Sequence, residues 1–231
     1  MKKVFYIVFF ANFAFFSSLA MAKDELKEIC LRNMQEPQVS VSTSYGTIRY
    51  DHSKNKRSIT RMHRNKYKGK IAGGKILNGL STFEHELNIS FEIKKQKLAS
   101  GVICAYPTKI DLYFGVGEDP VIYIAKEYAK GSCMYDLVLR HEQTHQQINQ
   151  SVLEYYLPII KERFLDVVKH HAIASQKRDI NLTLAKNELR ERYLQVLNPL
   201  IDEMKAETDA EQAKLDNNKN YNYEAKLCSG K

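Results

Sequence analysis

The sequence predicts an α+β fold in which a mostly antiparallel sheet is followed by a long helical hairpin. Residues from about 38 to 128 form short, alternating segments rich in β-branched and aromatic residues, separated by Gly, Pro, Asn and Asp. Residues 132–215 instead place apolar side chains three or four positions apart, which is the period of a helix with one buried face. Strands followed by packed helices are typical of the α+β layer arrangement.

Five segments of the first half have strand-like alternation: "VSVSTSYGTIRY", "TFEHELNISFEI", "SGVICAY", "KIDLYFGV" and "VIYIAKEY". The segment "GVGEDP" lies between the last two and is predicted to form a hairpin loop. Ser132 is the predicted N-cap of the first long helix, which contains Pro158 and ends near "ASQKRDIN". The second helix contains Pro199, and the polar tail "LDNNKNYNYEAKLCSGK" is predicted to be a loop.

The first 22 residues have the features of a secretory signal peptide: a basic start, an apolar run and the cleavage motif Ala20-Met21-Ala22. An uncleaved membrane anchor is the alternative interpretation. We therefore predict one domain over residues 23–231, exported to a bacterial periplasm or to the extracellular space. No later segment is apolar enough to span a bilayer, so no membrane span is expected after processing.

Four cysteines follow the predicted signal peptide, at Cys30, Cys104, Cys133 and Cys228. An even number of cysteines in an exported chain indicates two disulfides, and three pairings are open. We favour Cys104–Cys133, beside the histidine motif described below, together with Cys30–Cys228, which would join the two ends of the chain. Their spacing matches no cysteine-rich zinc pattern.

The formal net charge of the chain is +8, and removal of Lys2 and Lys3 with the predicted signal peptide lowers it to +6, a modest excess. In an exported protein this excess favours anionic envelope surfaces or substrates, and we expect no nucleic acid partner. The strongest basic cluster is "KNKRSITRMHRNKYKGK", residues 54–70. We interpret it as a solvated loop between strands, with binding of anionic lipid, glycan or nucleic acid as the alternative.

The stretch "YDLVLRHEQTHQQINQ", residues 135–150, contains the pattern H-E-x-x-H in a predicted helix. Residues four apart lie on one helix face, so His141 and His145 can offer ring nitrogens to one zinc ion. Glu142 then lies beside the metal, where it can take a proton from a zinc-activated water. The motif predicts one Zn²⁺ per chain, with Glu142 as general base.

The segments "VLRHEQTH" and, more weakly, "KAETDAEQ" resemble an HExxH zinc metallopeptidase of the zincin type. More narrowly, the chain resembles a family of predicted secreted bacterial zinc-dependent proteases. That family often has an E-T-x-H segment where this chain has Glu207-Thr208-Asp209, with Ala210 at the histidine position. The longer H-E-x-x-H-x-x-G-x-x-H form is absent, because Ile148 stands at the glycine position.

The third zinc ligand lies outside the motif, and helix geometry indicates where to look for it. In one large group of zincins the third ligand lies about twenty residues downstream, which here would be Glu162 or Asp166. Asp166 would lie about 31 Å along the same helix, far beyond any coordination distance. If the two helices fold back on each other near residue 178, His145 lies opposite Glu211. We predict Glu211 as the third ligand. The alternatives in the same stretch are Glu207 and Asp209.

The function that we predict is an exported zinc-dependent peptidase that hydrolyses a peptide or protein substrate, for which a cell-envelope peptide is one candidate. An extended substrate could pair with a strand beside the motif helix, Val121–Tyr128 or Lys109–Val116. The alternative function is a non-catalytic envelope binding protein with a structural or vestigial zinc site.

Overall fold

The computed structural model describes residues 24–67, 76–176 and 179–229, and it is an α+β structure with a strand-rich N-terminal part followed by long helices. The predicted signal peptide, residues 1–22, lies outside the described residues. No helix in the described ranges is both long enough and apolar enough to cross a bilayer. The elements in chain order are α1 (residues 24–33), β1 (Gln38–Ser42), β2 (Arg49–Asp51), α2 (Lys56–Tyr67), β3 (Gly79–Thr82), β4 (His85–Lys97), β5 (Ile103–Val116), β6 (Val121–Ile124), α3 (Cys133–Lys169), β7 (Ile173–Ser175), α4 (Leu182–Leu215) and α5 (Asn218–Ser229).

The chain divides into two compact units, and each unit contains segments from both halves of the sequence. Unit 1 consists of the described parts of residues 1–41, 89–112 and 160–198, and unit 2 consists of the described parts of residues 42–88, 113–159 and 199–231. The long elements β4, β5, α3 and α4 each contribute residues to both units. The H-E-x-x-H motif lies in unit 2.

Unit 1 is built around a cluster of buried side chains on β5 and its neighbours. Cys30, Val102, Cys104, Tyr106 and Ala172 form this cluster, and each of them is almost fully buried. The strand β7 pairs antiparallel with β5, so the segment after α3 returns to the sheet.

Aromatic packing joins the two long helices within unit 1. Tyr193 of α4 contacts the rings of Phe164 on α3 and Phe91 on β4, at centroid distances of 5.8 and 5.9 Å. Edge-to-face ring pairs at such distances add to the stabilisation that comes from burying apolar area.

Unit 2 contains a three-stranded sheet in the order β2-β6-β3. This sheet is mixed, because β2 is parallel and β3 antiparallel to β6. Ile122 and Ile124 of β6 are buried against Val138, one turn before the motif on α3. The predicted hairpin at "GVGEDP" is wrong: β5 and β6 belong to different sheets, and this segment connects them.

The basic segment that we predicted to be a loop is mostly the helix α2. The side chain of Asn55 caps this helix by accepting the N–H of Ser58 at 2.8 Å. Ile59 is fully buried with Leu80 of β3 and Ala125. Burial of one apolar face accounts for a helix in a segment whose other residues are mostly charged. Residues 68–70 of the segment lie outside the described residues.

The polar tail that we predicted to be a loop is largely the helix α5, Asn218–Ser229. The Asn217 side chain accepts the N–H of Asn220 at 2.8 Å, which is N-cap geometry for a Ser, Thr, Asp or Asn residue before a helix. α5 has no buried residue, so its apolar contacts are few. The disulfide Cys133–Cys228 ties its C-terminal end to the first residue of α3.

All four cysteines form disulfides, but the predicted pairing is wrong. The bonds are Cys30–Cys104 and Cys133–Cys228. The physical reason is the division of the chain: Cys30 and Cys104 lie in unit 1, whereas Cys133 and Cys228 lie in unit 2. A pair must bring its Cα atoms to about 4.4–6.8 Å, and the observed Cα distances are 5.5 and 5.7 Å.

Peptide mapping of the oxidised protein tests this pairing. Digestion without reductant is expected to yield one linked peptide pair that contains Cys30 and Cys104 and a second that contains Cys133 and Cys228. Loss of either bond is expected to cost about 2–5 kcal/mol of unfolding free energy, measured with urea on paired Cys→Ser variants. A linked Cys104–Cys133 peptide would contradict the structure.

Candidate functional site

The two histidines of the motif face the interior of unit 2 from one side of α3. The N-terminus of α3 is fixed by Ser132, whose Oγ accepts the N–H of Tyr135 at 3.2 Å. This is the N-cap predicted from the sequence. The side chains of His141 and His145 are only 7% and 12% exposed. Their Nε2 atoms lie 3.2 Å apart, as the spacing of four residues on a helix allows.

A carboxylate from the turn after α4 completes a group of three donors. Oδ1 of Asp216 lies 3.1 Å from Nε2 of His141 and 3.3 Å from Nε2 of His145. Within the described ranges, these three residues are the group of His, Cys, Asp and Glu side chains whose ligand atoms converge closely enough for one metal ion.

The three donors have the spacing that a tetrahedral zinc ion requires. Donors placed about 2.0–2.1 Å from zinc at tetrahedral angles are about 3.3–3.4 Å apart. The observed separations of 3.1, 3.2 and 3.3 Å agree with this value. Two imidazoles and one carboxylate are also the donor types found in catalytic zinc sites, which keep a fourth position open. The three side chains could therefore hold a metal ion.

Each of the three donor groups is oriented by a second hydrogen bond. Nδ1 of His141 donates to the carboxylate of Glu224 on α5 at 3.1 Å. Nδ1 of His145 donates to Oε1 of Gln212 on α4, and the hydroxyl of Tyr221 donates to Oδ1 of Asp216.

These second hydrogen bonds select the tautomer that leaves Nε2 of each histidine for a metal. The Tyr221 ring also stacks on His141 at a centroid distance of 5.3 Å, so contacts from α5 restrict this imidazole. The donor group is thus oriented before any ion binds.

Glu142 packs against the edge strand β3, where a glycine makes room for it. A Cβ atom at Gly79 would lie 2.6 Å from Oε1 of Glu142 and 2.7 Å from Cγ1 of Val138, so any larger residue there would have to displace one of these side chains. The backbone N–H of Ser81 donates to the Glu142 carboxylate. One turn later, Gln146 donates to the carbonyl of Thr82 at 3.0 Å. These contacts fix the Glu142 carboxylate beside the histidines.

Burial and neighbouring charges change the pKa values of the group in the metal-free protein. Burial alone would lower the pKa of His141, but the carboxylates of Asp216, Glu142 and Glu224 outweigh it and raise this pKa to about 9. The pKa of His145 is raised for the same reason, mainly by Asp216 and Glu142 against the effect of burial.

The two site carboxylates shift in opposite directions. Burial raises the pKa of Glu142 to about 7, against the lowering effect of the two histidines. Burial would also raise the pKa of Asp216, but hydrogen bonds from His141 and His145 outweigh it and hold that pKa well below its usual range. The two histidines and the two carboxylates thus form one cluster in which each charge changes the pKa values of the others.

The site opens into a pocket of about 420 Å³ that contains Glu142, His145 and Asp216 in its wall. His63 of α2 and His85 of β4 line the same pocket. Burial lowers the pKa of His85 to about 4, so its ring is neutral at physiological pH.

The predicted third ligands are not members of the metal-binding group found among the described residues. Glu211 forms an ion pair with Lys214. Glu207 accepts the hydroxyl of Tyr156 at 2.9 Å, and Asp209 lines the pocket. Gln212 is the α4 residue opposite His145, one position from Glu211. The residue predicted to lie opposite His145 was therefore wrong by one position. The carboxylate that reaches the histidines belongs to Asp216, beyond the end of α4.

Several residues of the site were missed in the sequence. Asp216 and Glu224 lie in the tail that we predicted to be a loop, so no helical period pointed to them. A usable signal was present in Asn217, the first residue of "NNKNYNYEA", because Asn is a preferred N-cap and so indicates a helix start. No sequence pattern indicated that Gly79 makes room for Glu142, because this role depends on the close approach of α3 to β3.

Neither strand suggested for pairing with a substrate is an edge strand. β6 lies between β2 and β3, and β5 lies between β1 and β4. A strand with neighbours on both sides offers no free row of backbone groups to a peptide. The suggestion that a substrate pairs with Val121–Tyr128 or Lys109–Val116 is therefore wrong.

Comparisons of the chain with protein-family models, with curated proteins and with solved structures found no match.

The raised pKa of His141 predicts that the metal-free protein loses stability at alkaline pH. Protonated His141 stabilises the fold fully below the ordinary pKa of 6.5, and this stabilisation is lost as pH rises through about 9. His145 acts in the same direction. One pKa unit corresponds to about 1.4 kcal/mol, so the loss from His141 is at most about 3 kcal/mol.

Urea unfolding in the presence of a chelator, at pH values between about 7 and 9.5, measures this loss. Glu142, with a pKa of about 7, undergoes most of its own change below this range. The variant His141→Gln is expected to show a flatter pH profile. Constant stability of the unmodified protein across the range would show that the histidines are not held protonated by these carboxylates.

Proposed function

We propose that this protein is an exported zinc-dependent peptidase. The observation that carries the proposal is the convergence of Nε2 of His141, Nε2 of His145 and Oδ1 of Asp216 at 3.1–3.3 Å, in the wall of a pocket that also contains Glu142. Three protein donors with an open fourth position and a carboxylate beside them are the arrangement of a hydrolytic zinc site. Asp216 takes the role that we predicted for Glu211.

Zinc bound by these three residues would polarise a substrate carbonyl and make a water molecule more acidic. Glu142 is placed to accept the proton of that water and to pass it to the leaving amine, as a general base and then a general acid. The Ser81 N–H and the space at Gly79 hold its carboxylate in one position during both transfers. In this proposal the substrate peptide enters the pocket of about 420 Å³ whose wall contains Glu142.

The two long helices support the motif as an antiparallel pair in this proposal. His145 of α3 contacts Gln212 of α4, and eleven residues later Tyr156 contacts Glu207, so position increases on one helix as it decreases on the other. Gln212 also donates to Asn149 at 2.9 Å. The hydrogen bonds of Gln212 to His145 and Asn149 hold the His145 imidazole against α4.

Two disulfides among the described residues favour an oxidising compartment, such as a bacterial periplasm or the cell exterior. The predicted signal peptide in residues 1–22 supports the same location. The substrate in this proposal is therefore a peptide or protein of the cell envelope or its surroundings.

A non-catalytic envelope binding protein with a structural zinc is the alternative function. The observation in its favour is Tyr221, whose ring covers His141 and whose hydroxyl reaches Asp216. A side chain in this position restricts access from the α5 side. Under this alternative, zinc binds and no peptide bond is cleaved.

Zinc stoichiometry in ligand variants tests the donor set. The purified protein is expected to bind about one equivalent of zinc, and His145→Ala or Asp216→Ala is expected to weaken binding by more than about 100-fold, the upper end of the loss from a supporting partner. Glu211→Ala is the matched control, because Glu211 is an acidic residue of the same region that pairs with Lys214. The zinc affinity of this control should differ from that of the unmodified protein by less than about threefold. Competition with a chromogenic chelator measures the affinity.

The opposite result, with Glu211→Ala losing zinc and Asp216→Ala retaining it, would reject the described position of Asp216. Retention of zinc in all three variants would reject the site altogether.

The variant Glu142→Gln separates the peptidase from the binding protein. It is expected to keep the fold and the zinc but to lower kcat about 10²–10⁴-fold, because an amide cannot accept the proton. Release of new amino termini from a mixed peptide library measures the reaction. If the unmodified, zinc-loaded protein cleaves nothing in such a library, the alternative function is favoured; if Glu142→Gln retains full activity, Glu142 is not the base.

A further inference from the structure

The basic excess of the chain is concentrated in one segment. Nine of the 35 Lys and Arg residues, and none of the 27 Asp and Glu residues, lie between residues 52 and 83. The rest of the chain therefore has 26 basic and 27 acidic residues, which is close to neutrality. Most of the described part of this segment is α2 and β3 of unit 2. The zinc site and its proposed chemistry do not use this charge.

Three arginines form one exposed face of α2. Arg57, Arg61 and Arg64 follow a spacing of four and three residues, so they lie on the same side of the helix. All three are exposed. Ile59, which is fully buried, lies about half a turn away from them on the opposite side. We call Arg57, Arg61 and Arg64 the arginine face.

The arginine face has no acidic partner in the described ranges, whereas the two lysines of the helix each have a side-chain partner. Lys66 forms an ion pair with Glu84 at 2.9 Å, and the ammonium group of Lys56 lies 4.3 Å from the ring centre of Tyr128. No ion pair joins Arg57, Arg61 or Arg64 to a described carboxylate. Three uncompensated charges on one side of a helix produce a local positive potential.

The helix that presents these charges is firmly held. Thr60 is buried, and its hydroxyl donates to the carbonyl of Lys56 at 2.7 Å and accepts the N–H of Leu77 at 2.9 Å. Ile59 packs with Leu80 and Ala125 in a core cluster. The arginine face is therefore an ordered surface, and binding an anionic partner does not require the helix to form first.

We propose that the arginine face of α2 binds the surface of an anionic phospholipid membrane. The three side chains are spread over about 10 Å along a straight helix, so all of them can approach one flat layer of phosphate groups together. Guanidinium groups bind phosphate oxygens with two hydrogen bonds each, and anionic leaflets attract such clusters.

The location of the protein favours a lipid over a nucleic acid as the partner. The disulfides indicate an oxidising compartment, where lipid phosphate is the abundant polyanion and nucleic acid is not. His63, on the same helix, lines the pocket of the metal site, so α2 bound at a membrane would keep that pocket close to the bilayer surface.

Vesicle sedimentation tests the proposal without any assay of hydrolysis. The purified protein is expected to partition to vesicles of equal parts phosphatidylglycerol and phosphatidylcholine, and to remain in solution with phosphatidylcholine alone. Each basic residue near an anionic surface contributes a factor of about five, so the triple variant Arg57→Gln, Arg61→Gln, Arg64→Gln should lower the partition coefficient on the order of a hundredfold. Raising the salt from about 0.1 M to 0.5 M should release the bound protein.

Two further variants serve as controls. The triple variant Lys94→Gln, Lys97→Gln, Arg163→Gln removes the same charge from exposed residues of unit 1 and should change partition less than about threefold. Both triple variants have the same N-terminal segment. Any contribution of residues 1–23 to vesicle binding is therefore equal in the two variants and cancels when they are compared. The triple Arg→Lys variant of the arginine face should retain most of the binding, because a membrane surface recognises charge more than shape.

Several outcomes would overturn the proposal. If both Gln triple variants lose vesicle binding equally, net charge alone explains the binding. If the α2 variant binds vesicles as well as the unmodified protein, the arginine face is not the membrane-binding surface. Tighter binding to duplex DNA than to the anionic vesicles would identify a nucleic acid as the partner. Circular dichroism of each variant shows whether its fold is retained, and zinc binding by the α2 variant is expected to be unchanged whether or not the protein is a peptidase.

Discussion

The convergence of two imidazole nitrogens and one carboxylate oxygen within 3.1–3.3 Å is the constraint on which the rest of unit 2 depends. Such a cluster brings partial and full charges together in a largely buried place, which is costly unless protons or a cation neutralise it. In the metal-free protein, raised histidine pKa values and a lowered pKa of Asp216 provide this neutralisation. A divalent cation would replace those protons, so metal binding and protonation compete for the same atoms.

The tail helix α5 shows how a segment without a core can still hold a site. It buries no residue, so the hydrophobic effect does little to position it. Its position instead comes from the disulfide Cys133–Cys228, from Glu224 at His141, and from Tyr221 at Asp216. The covalent bond joins the start of the motif helix to the end of the chain, and so confines the two site residues of α5 to the neighbourhood of the histidines.

The distribution of charge in unit 2 separates two surfaces. Glu142, Asp216 and Glu224 form an acidic group around the histidines, whereas the arginine face of α2 lies on the exposed side of a helix that borders the pocket. Opposite charges in one compact unit support different interactions: the carboxylates beside the histidines act over short distances on a cation, and the exposed arginines act on a partner surface through solvent.

Local sequence determined the parts of the protein that depend on neighbouring residues. The helical spacing of His141 and His145, the cap at Ser132 and the change from strands to helices all follow from periods and caps within a few positions of the chain. The antiparallel register estimated from helix rise came within one residue of the contact between His145 and Gln212.

Tertiary structure alone decided the features that depend on where distant segments meet. Cysteine pairing required knowledge of which cysteines share a unit, and sequence spacing carries no such information. The helix rise put Glu211 opposite His145, one position from the observed Gln212. Asp216, however, lies past the last residue of that helix, where the backbone direction is set by the turn and by the disulfide of α5. Gly79 likewise became meaningful only when Glu142 was packed against it, because a close approach between a strand and a helix is a property of the folded chain and leaves no local period in the sequence.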